Sequence, residues 1–465
     1  MYLITGKTQT LVAIVRLLYL MGKSVLITSH THSAVDNILL RLKTFQLPFI
    51  RLGSSARVNP QLKDYSEAVL TANCHTETEL SNVYDSFQIV AVTCLGSNHP
   101  IFLHRTFNFC IVDEATQVMQ VTVLRPLLFA QRFILVGDPD QLPPLIKSTE
   151  ARENGADESL FHRLDSEEAT SVLTLQYRMN KTITKLANEL TYRGALQCAS
   201  NEVKSAAMAK PIDQAVVKDK WLQRVLQTHV DQSVFLLDTM DCSERSFNYA
   251  NSKHSTICSR IETAFNEETL PSEAVIKSPS KSSKRLAKYT NYCEAALVFK
   301  IVKALLISHY EAERIGIIAP YRAQVELLKK LALQHNAFYQ NFSKENHTLL
   351  DFSAVEVNTV DQYQGRDKDI IIYSCCRTCP SSNQASESNR DAEILEDQRR
   401  LTVAITRSKH KLIIIGDSAC IQQYTPFKKL IRHIPSFCKL QLEDDKLGFH
   451  WSQLMDELSQ AINAN

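Results

Sequence analysis

Six short blocks of this sequence hold side chains that phosphate chemistry uses. The first, TGKT (Thr5–Thr8), sets Gly6, Lys7 and Thr8 at the mouth of an apolar stretch that runs to Met21. A bound phosphate needs backbone N–H groups at a helix N-terminus, an ammonium for its terminal oxygens and a hydroxyl on Mg²⁺. These residues supply the second half of that design, while Met1 stands where GxxxxGK[ST] wants its first glycine. Taken singly, GKT is more often a surface turn than a phosphate loop. The second block, FCIVDEATQ (Phe109–Gln117), places Asp113 and Glu114 directly after an apolar run. At the carboxyl edge of a parallel sheet, adjacent acids can divide labour, one holding Mg²⁺ and the other orienting the attacking water. DE alone would be an exposed acidic turn.

The third block, LVGDPDQLPP (Leu135–Pro144), reads either as a plain tight turn or as a loop whose Gln141 senses the terminal phosphate. Two arginines follow: Arg178 in LQYRM (Leu175–Met179) and Arg407 in RRLTVAITRSKHKLIIIG (Arg399–Gly416). Phosphoryl transfer spreads negative charge that a guanidinium stabilises. Either arginine alone reads as a surface ion pair; two, downstream of a phosphate-loop fragment, predict an ATP cleft shared between two domains. Tyr177 could stack on adenine or be a core tyrosine. In VEVNTVDQYQGRDKDIIIYS (Val355–Ser374), Gly365 permits close backbone approach, Asp367 could accept from ribose hydroxyls, and Thr359 could meet a DNA phosphate.

Those groups must be positioned by repeated α/β units. Apolar runs predict strands at Ser24–Thr28, Gln88–Thr93, Phe109–Val112, Phe133–Val136, Val234–Leu237, Ile315–Ala319, Val355–Asn358, Ile370–Ser374 and Lys411–Ile415. Helices are expected at Thr8–Met21, Asn180–Thr191 and Asn291–Leu306. Continuous apolar strands alternating with helices predict an α/β fold of parallel sheets covered on both faces. The expected organisation is one domain over 1–165, a second over 166–440 and a C-terminal helical tail over 441–465. The stretch 241–288 is rich in Ser and Lys and lacks a period, which predicts a solvated, partly disordered insertion; a basic targeting signal or a DNA-contacting arm is the alternative.

Composition narrows the class. The 465 residues are 44% hydrophobic and 22% charged, with 52 basic against 50 acidic side chains. A net charge of +2 neither announces nor excludes a nucleic-acid binder, because a local basic groove can do that work. The 12 cysteines are scattered, and Cys94, Cys110 and Cys375 read as buried thiols of a reduced intracellular protein. Cys376 and Cys379 form one CxxC without a partner pair, so no metal site is expected there. No apolar run reaches the ~20 residues of a membrane span; Arg16 interrupts the longest, Leu11–Met21.

The order of blocks resembles the superfamily-1B helicase motif series: GKT, TSHTHSAVDN (Thr28–Asn37), VTCLGSNHP (Val92–Pro100), DEATQ, GDPDQLPP, QYRM, IGIIAPYRAQV (Ile315–Val325), QGRDKD and VAITRSKHK. Within that superfamily the chain looks most like the helicase half of the eukaryotic DNA replication helicase/nucleases, which trim 5′ flaps and resect DNA ends. THSAVDN, GSNHPIF and VNTVDQYQGRDK are the pointers. The resemblance implies two tandem RecA-like P-loop domains with the ATP cleft between them, ATP and Mg²⁺ as ligands, and 5′-to-3′ movement on single-stranded DNA. It implies that Gly6, Lys7 and Thr8 hold phosphates, Thr8 and Asp113 hold Mg²⁺, and Glu114 is the catalytic base. Gln141 would contact the γ-phosphate, Tyr177 would stack on adenine, and Arg178 and Arg407 would be arginine fingers. Thr31, His32, Thr93 and Thr359 fall in stretches that line the DNA track. Single-strand-binding protein and replication and repair factors are the implied partners, and the nucleus, with the mitochondrion second, the implied location.

The family's nuclease domain and iron–sulfur cysteines lie upstream of its helicase. Neither is in this sequence, so no cluster and no nuclease activity are expected of it, and the chain is expected to be a fragment or an incomplete gene reading. Ile4 stands where the family usually has a third loop glycine. Two other readings remain: a nucleic-acid-binding fragment that no longer uses ATP, and an RNA/DNA helicase of the RNA-surveillance branch.

Overall fold

Runs of β-branched residues favour extended chain, and where both faces of a strand are apolar the strand must be covered on both sides. The computed structural model, which describes residues 6–240, 289–342, 351–377 and 394–463, builds two compact units, Met1–Tyr177 and Arg178–Asn465. In the first, β1 (Val25–Ser29), β2 (Phe49–Arg51), β3 (Ile89–Thr93), β4 (Phe107–Asp113) and β5 (Ala130–Leu135) form one sheet in the order β2-β3-β1-β4-β5. All its pairs are parallel. Side chains alternate between two cores: Val25, Ile27, Ile89, Ala91 and Ile111 enter one, and Leu26, Val90, Val92, Cys110 and Val112 the other. The first core is closed by α1 (Lys7–Leu20) and α2 (His32–Thr44), which contribute Leu11, Val15, Val35, Ile38 and Leu39. Helix α1 stops at Met21, and Gly22 takes a φ of 69° that a side chain would resist. A short β6 (Leu175–Gln176) lies near the end of this unit.

The second unit contains a short β7 (Gln197–Cys198) and a six-stranded parallel sheet. Its members are β8 (Val234–Asp238), β9 (Ile315–Ala319), β10 (Glu356–Thr359), β11 (Lys368–Ser374), β12 (Ser408–Gly416) and β13 (Lys439–Gln441), in the order β10-β9-β11-β12-β8-β13. Ile370, Ile371, Ile372 and Leu412 to Ile415 are buried with nothing polar between them, as central strands require.

The α/β fold of parallel sheets expected from the sequence is the one observed. All nine expected strands form, with ends shifted by a few residues. β2 and β13 were not expected; each has three residues, too few to show a pattern. The helix expected over Asn180–Thr191 starts on the Asn180 side chain, which accepts from Ile183 N, and is α-helical over Lys181–Ala187. It then widens into a π-helical turn over Asn188–Tyr192 and ends at Arg193, whose φ is 52°. Cys94, Cys110 and Cys375 are buried free thiols, as expected. Ile4, Cys379 and the 241–288 stretch lie outside the described residues. Among the described residues no helix is long and apolar enough to cross a membrane.

Candidate active site

In an all-parallel sheet every strand ends at the same edge, and ligands bind there. Ser29 of β1 is level with Thr93 of β3 on one side and with Asp113 of β4 on the other. Gly6, at a φ of 76°, turns the chain into α1 so that Lys7 opens the helix. Lys7 is 3% exposed, and its Nζ lies 3.9 Å from Glu114 Oε2. GKT is therefore no surface turn. Thr8, half-buried, follows it on the first turn.

Asp113 is 6% exposed and Glu114 16%, so this is no exposed acidic turn either. Burial first, and the neighbouring Glu114 charge second, push the Asp113 carboxyl up to about 7, against the pull of Lys7. Glu114 is held at a φ of 53°, a left-handed conformation that costs a non-glycine residue about 1–3 kcal/mol. Neighbouring hydrogen bonds compel it: Glu114 N donates to Asp113 Oδ1 (3.0 Å) and Ala115 N to Val136 O (2.7 Å). Gln117 Nε2 then donates to Glu114 Oε2 at 2.9 Å, fixing where the carboxylate points.

The segment after β5 is laid against this turn. A Cβ on Gly137 would meet Thr116 Cγ2 at 2.6 Å and the Thr116 backbone nitrogen at 3.0 Å. Gly137→Ala is therefore expected to push the Asp113–Thr116 turn away, costing about 1–3 kcal/mol of stability as overpacking does. Thermal unfolding of the variant checks this, and an unchanged midpoint would show that the two segments are free to separate. Asp138, fully buried, accepts from Asp140 N and from Gln141 Nε2 (2.7 Å), so the Gln141 amide is aimed by a carboxylate three residues earlier. That Asp-x-x-Gln spacing was the signal, and the sequence reading passed over Asp138. Tyr177 is 63% exposed, which excludes a core role, and its ring stands over the loop: a Cβ on Gly6 would lie 3.7 Å from Tyr177 Cε2.

Three polar atoms at this edge are buried without a hydrogen-bond partner among the described residues: Lys7 Nζ, Ser29 Oγ and Thr116 Oγ1. An unsatisfied buried polar atom costs about 1–3 kcal/mol. Three on elements that converge on one edge fit a site built to take a polar ligand.

On the same edge, Thr31 is exposed and caps α2 by accepting from Ala34 N (3.2 Å), and half-buried His32 is the first residue of that helix. Thr93 caps the turn after β3, accepting from Gly96 N.

The remaining expected residues belong to the second unit. Arg178 donates to Asp367 Oδ2 (3.3 Å) and to Thr406 O (3.1 Å). Burial pushes the Asp367 carboxyl up, but Arg178, Lys409 and Arg407 outweigh it and hold it below the usual carboxylate range. The carboxylate expected to accept from ribose is thus engaged by cations of its own unit, of which Lys409 (3.3 Å) was not foreseen. Arg407 is 0% exposed, with Nε on Val403 O (2.8 Å) and Nη2 on Thr406 Oγ1 (2.8 Å). Gly365 has a φ of 79° with nothing within 4 Å of its Cβ position. Thr359 ends β10, and its carbonyl accepts from Tyr363 N at 3.0 Å.

Two AAA-domain family models match this chain, one over residues 156–419 and one over 3–82 and 72–149. The chain is 40% identical over 443 residues to the DNA replication ATP-dependent helicase/nuclease DNA2 of Xenopus laevis, covering 95% of this chain and 37% of that protein. Against the protein of the same name from Saccharomyces cerevisiae it is 35% identical over 439 residues, covering 92% and 25%. The chain thus spans between a quarter and little more than a third of the length of these curated relatives. A crystal structure of the arterivirus nonstructural protein 10 helicase covers 93% of this chain and 60% of its own at 13% identity, with a TM-score of 0.38, too low to carry weight. The family match spans more than half of the residues: the chain belongs to the AAA-domain family, and nearly all of it is similar to part of the DNA replication ATP-dependent helicase/nucleases.

Proposed function

We propose that this chain is the ATP-driven motor of a DNA helicase moving 5′ to 3′ on single-stranded DNA. The observation that carries the reading is the buried Lys7 ammonium beside Asp113 and Glu114, with Ser29 and Thr116 hydroxyls on the same edge that have no hydrogen-bond partner among the described residues. The residues fit a Mg²⁺ nucleotide: Lys7 and the first N–H groups of α1 face phosphate charge, while the Thr8 hydroxyl and the Asp113 carboxylate are the hard oxygen donors Mg²⁺ prefers. Bound there, Mg²⁺ would neutralise the charge that builds on the phosphates.

Glu114, fixed by Gln117, is placed to orient a water and take its proton. Gln141, aimed by Asp138, would report the terminal phosphate, and Tyr177 over Gly6 offers an exposed face to adenine. Arg178 and Arg407 are proposed to stabilise transferred charge, which requires Arg178 to exchange Asp367 for phosphate. Gly365, Asp367 and Thr359 would complete nucleotide and DNA contacts. Thr31, His32 and Thr93 would touch the strand through phosphate and sugar, contacts that need not read sequence. Flaps and resected ends, single-strand-binding protein and nuclear replication and repair factors are the substrates and partners this reading implies.

The test is hydrolysis of ATP by the purified chain with and without oligo(dT), then unwinding of duplexes bearing a 5′ or a 3′ tail. Stimulation of at least tenfold and unwinding from the 5′ tail alone are expected. Hydrolysis that ignores the oligonucleotide, or that answers only to RNA of matched length, would overturn the assignment.

A further inference from the structure

Arg51 ends β2 with a side chain that is fully buried, and a buried guanidinium must place its donors. Its Nε donates to Asp36 Oδ1 at 2.8 Å, its Nη1 to Leu52 O at 2.5 Å, and its Nη2 lies 3.0 Å from His32 Nδ1. Asp36 Oδ2 in turn accepts from Asn59 N at 2.9 Å. His32 and Asp36 are four residues apart on α2, so they stack on one face of the helix. One rigid fork from the neighbouring strand therefore reaches both. Lysine, with a single point charge, would not.

The hydrogen-bond inventory settles the state of His32. Arginine has donors and no acceptor, so His32 Nδ1 must be the acceptor and carries no proton. The ring is then neutral with its hydrogen on Nε2, and a second proton would set N–H against N–H at 3.0 Å. Burial, then the Arg51 and Arg57 charges, lower the affinity of His32 for that proton, and the Asp36 carboxylate opposes them without prevailing. Among the described residues His32 Nε2 has no partner. Exposed Thr31 and Ser33 flank it on the carboxyl edge.

We propose that Arg51 and Asp36 are positioning residues that lock His32 as a neutral imidazole, turning its Nε2–H into a hydrogen-bond donor for a phosphate or sugar oxygen of single-stranded nucleic acid. The proposal rests on the nucleic-acid reading above, and it makes His32 a directional contact and not a cation. A cation at this place would add to counterion release, whereas a neutral donor adds affinity without steepening the salt dependence.

Two measurements test it. Ring ¹⁵N chemical shifts of the full chain, with His32 identified by its loss in His32→Gln, should show the neutral Nε2–H form at pH 7. An imidazolium or an Nδ1–H pattern overturns the proposal whether or not the protein binds DNA. Second, oligo(dT) affinity is measured across a salt series. Gln, whose amide nitrogen can stand near Nε2, should retain affinity within about threefold, and His32→Asn, which reaches only Nδ1, should lose about tenfold, both with the parental salt slope. Arg51→Lys, which lets the ring mix its two tautomers, should lower affinity by about twofold, in proportion to the Nε2–H form lost, and should cost nothing further in the His32→Asn background. Parental affinity in both His32 variants, or a slope shallower by about 0.7, overturns the contact. Failure of the parent to bind oligo(dT) overturns the motor reading and the contact with it.

Discussion

Lys7→Ala is expected to reduce DNA-stimulated ATP hydrolysis by about a thousandfold or more, and Glu114→Gln to do the same by a different route. Lys7 Nζ is buried, makes no hydrogen bond among the described residues, and has only a 3.9 Å ion pair with Glu114. Its burial is costly unless phosphate oxygens repay it. Removing it takes away charge that faces the nucleotide in the ground state as well as during reaction, so nucleotide affinity should fall with turnover. Glu114→Gln keeps size and leaves an amide to face Gln117 and Lys7, yet it cannot accept a proton. Its nucleotide affinity should therefore be retained, or rise as the negative charge beside the phosphates disappears. Fluorescent-nucleotide titration alongside the hydrolysis assay separates the two. Equal activity of Lys7→Ala and the parent would mean that whatever the chain hydrolyses is not handled at this edge.

Much of this edge was legible because the chemistry sits in contiguous blocks. A strand that is apolar throughout and ends in Asp113-Glu114 announces its own carboxyl terminus, and the order of blocks then implies which edge they share. What could not be read is how each block is held. Nothing local says that Glu114 adopts a left-handed backbone, since that follows from Ala115 reaching across to Val136. Arg178 meets Asp367 across 189 residues of sequence, a pairing one chain cannot reveal. Arg407, set among Thr406, Ser408 and Lys409, reads as exposed, yet its guanidinium folds back onto the helix Gln398–Ile405 and is fully buried. β2 escaped notice because three residues show no period, and with it went the Arg51 that ties β2 to α2.

The second large effect concerns stability and pH, and it follows from a buried acid remote from phosphate chemistry. Glu294 sits in the first turn of the helix Tyr292–Ile307, capped by Asn291, with no exposure to solvent. Its Oε2 accepts from Ser374 Oγ (2.6 Å) and Cys376 N (2.9 Å), and Gln324 ties Ser374 and Asn291 to the same cluster. Burial pushes the carboxyl up to about 8, with Asp417 adding to it, against the pull of the Ser374 and Cys376 hydrogen bonds. The folded chain therefore keeps a proton that the unfolded chain has released above about pH 4.5. Stability from this group is full below that pH, declines as pH rises and levels off above pH 8, a loss on the order of 5 kcal/mol.

Lys411, pushed down to about 7 by burial, works in the opposite sense: the folded chain holds fewer protons than the unfolded one above pH 7, so stability rises with pH there. The two contributions would blur in the parent alone. Glu294→Gln removes one and leaves the other, since Lys411 donates to Gln227 O and Gln232 O and not to the Glu294 cluster. Both tryptophans, Trp221 and Trp451, belong to the second unit, so their fluorescence follows its unfolding in urea without signal from the first. The gap between variant and parent should shift in the variant's favour by roughly 4 kcal/mol between pH 5 and pH 8.5. Parallel profiles would mean that Glu294 is already ionised in the folded chain, and that the hydrogen bonds from Ser374 and Cys376 outweigh its burial.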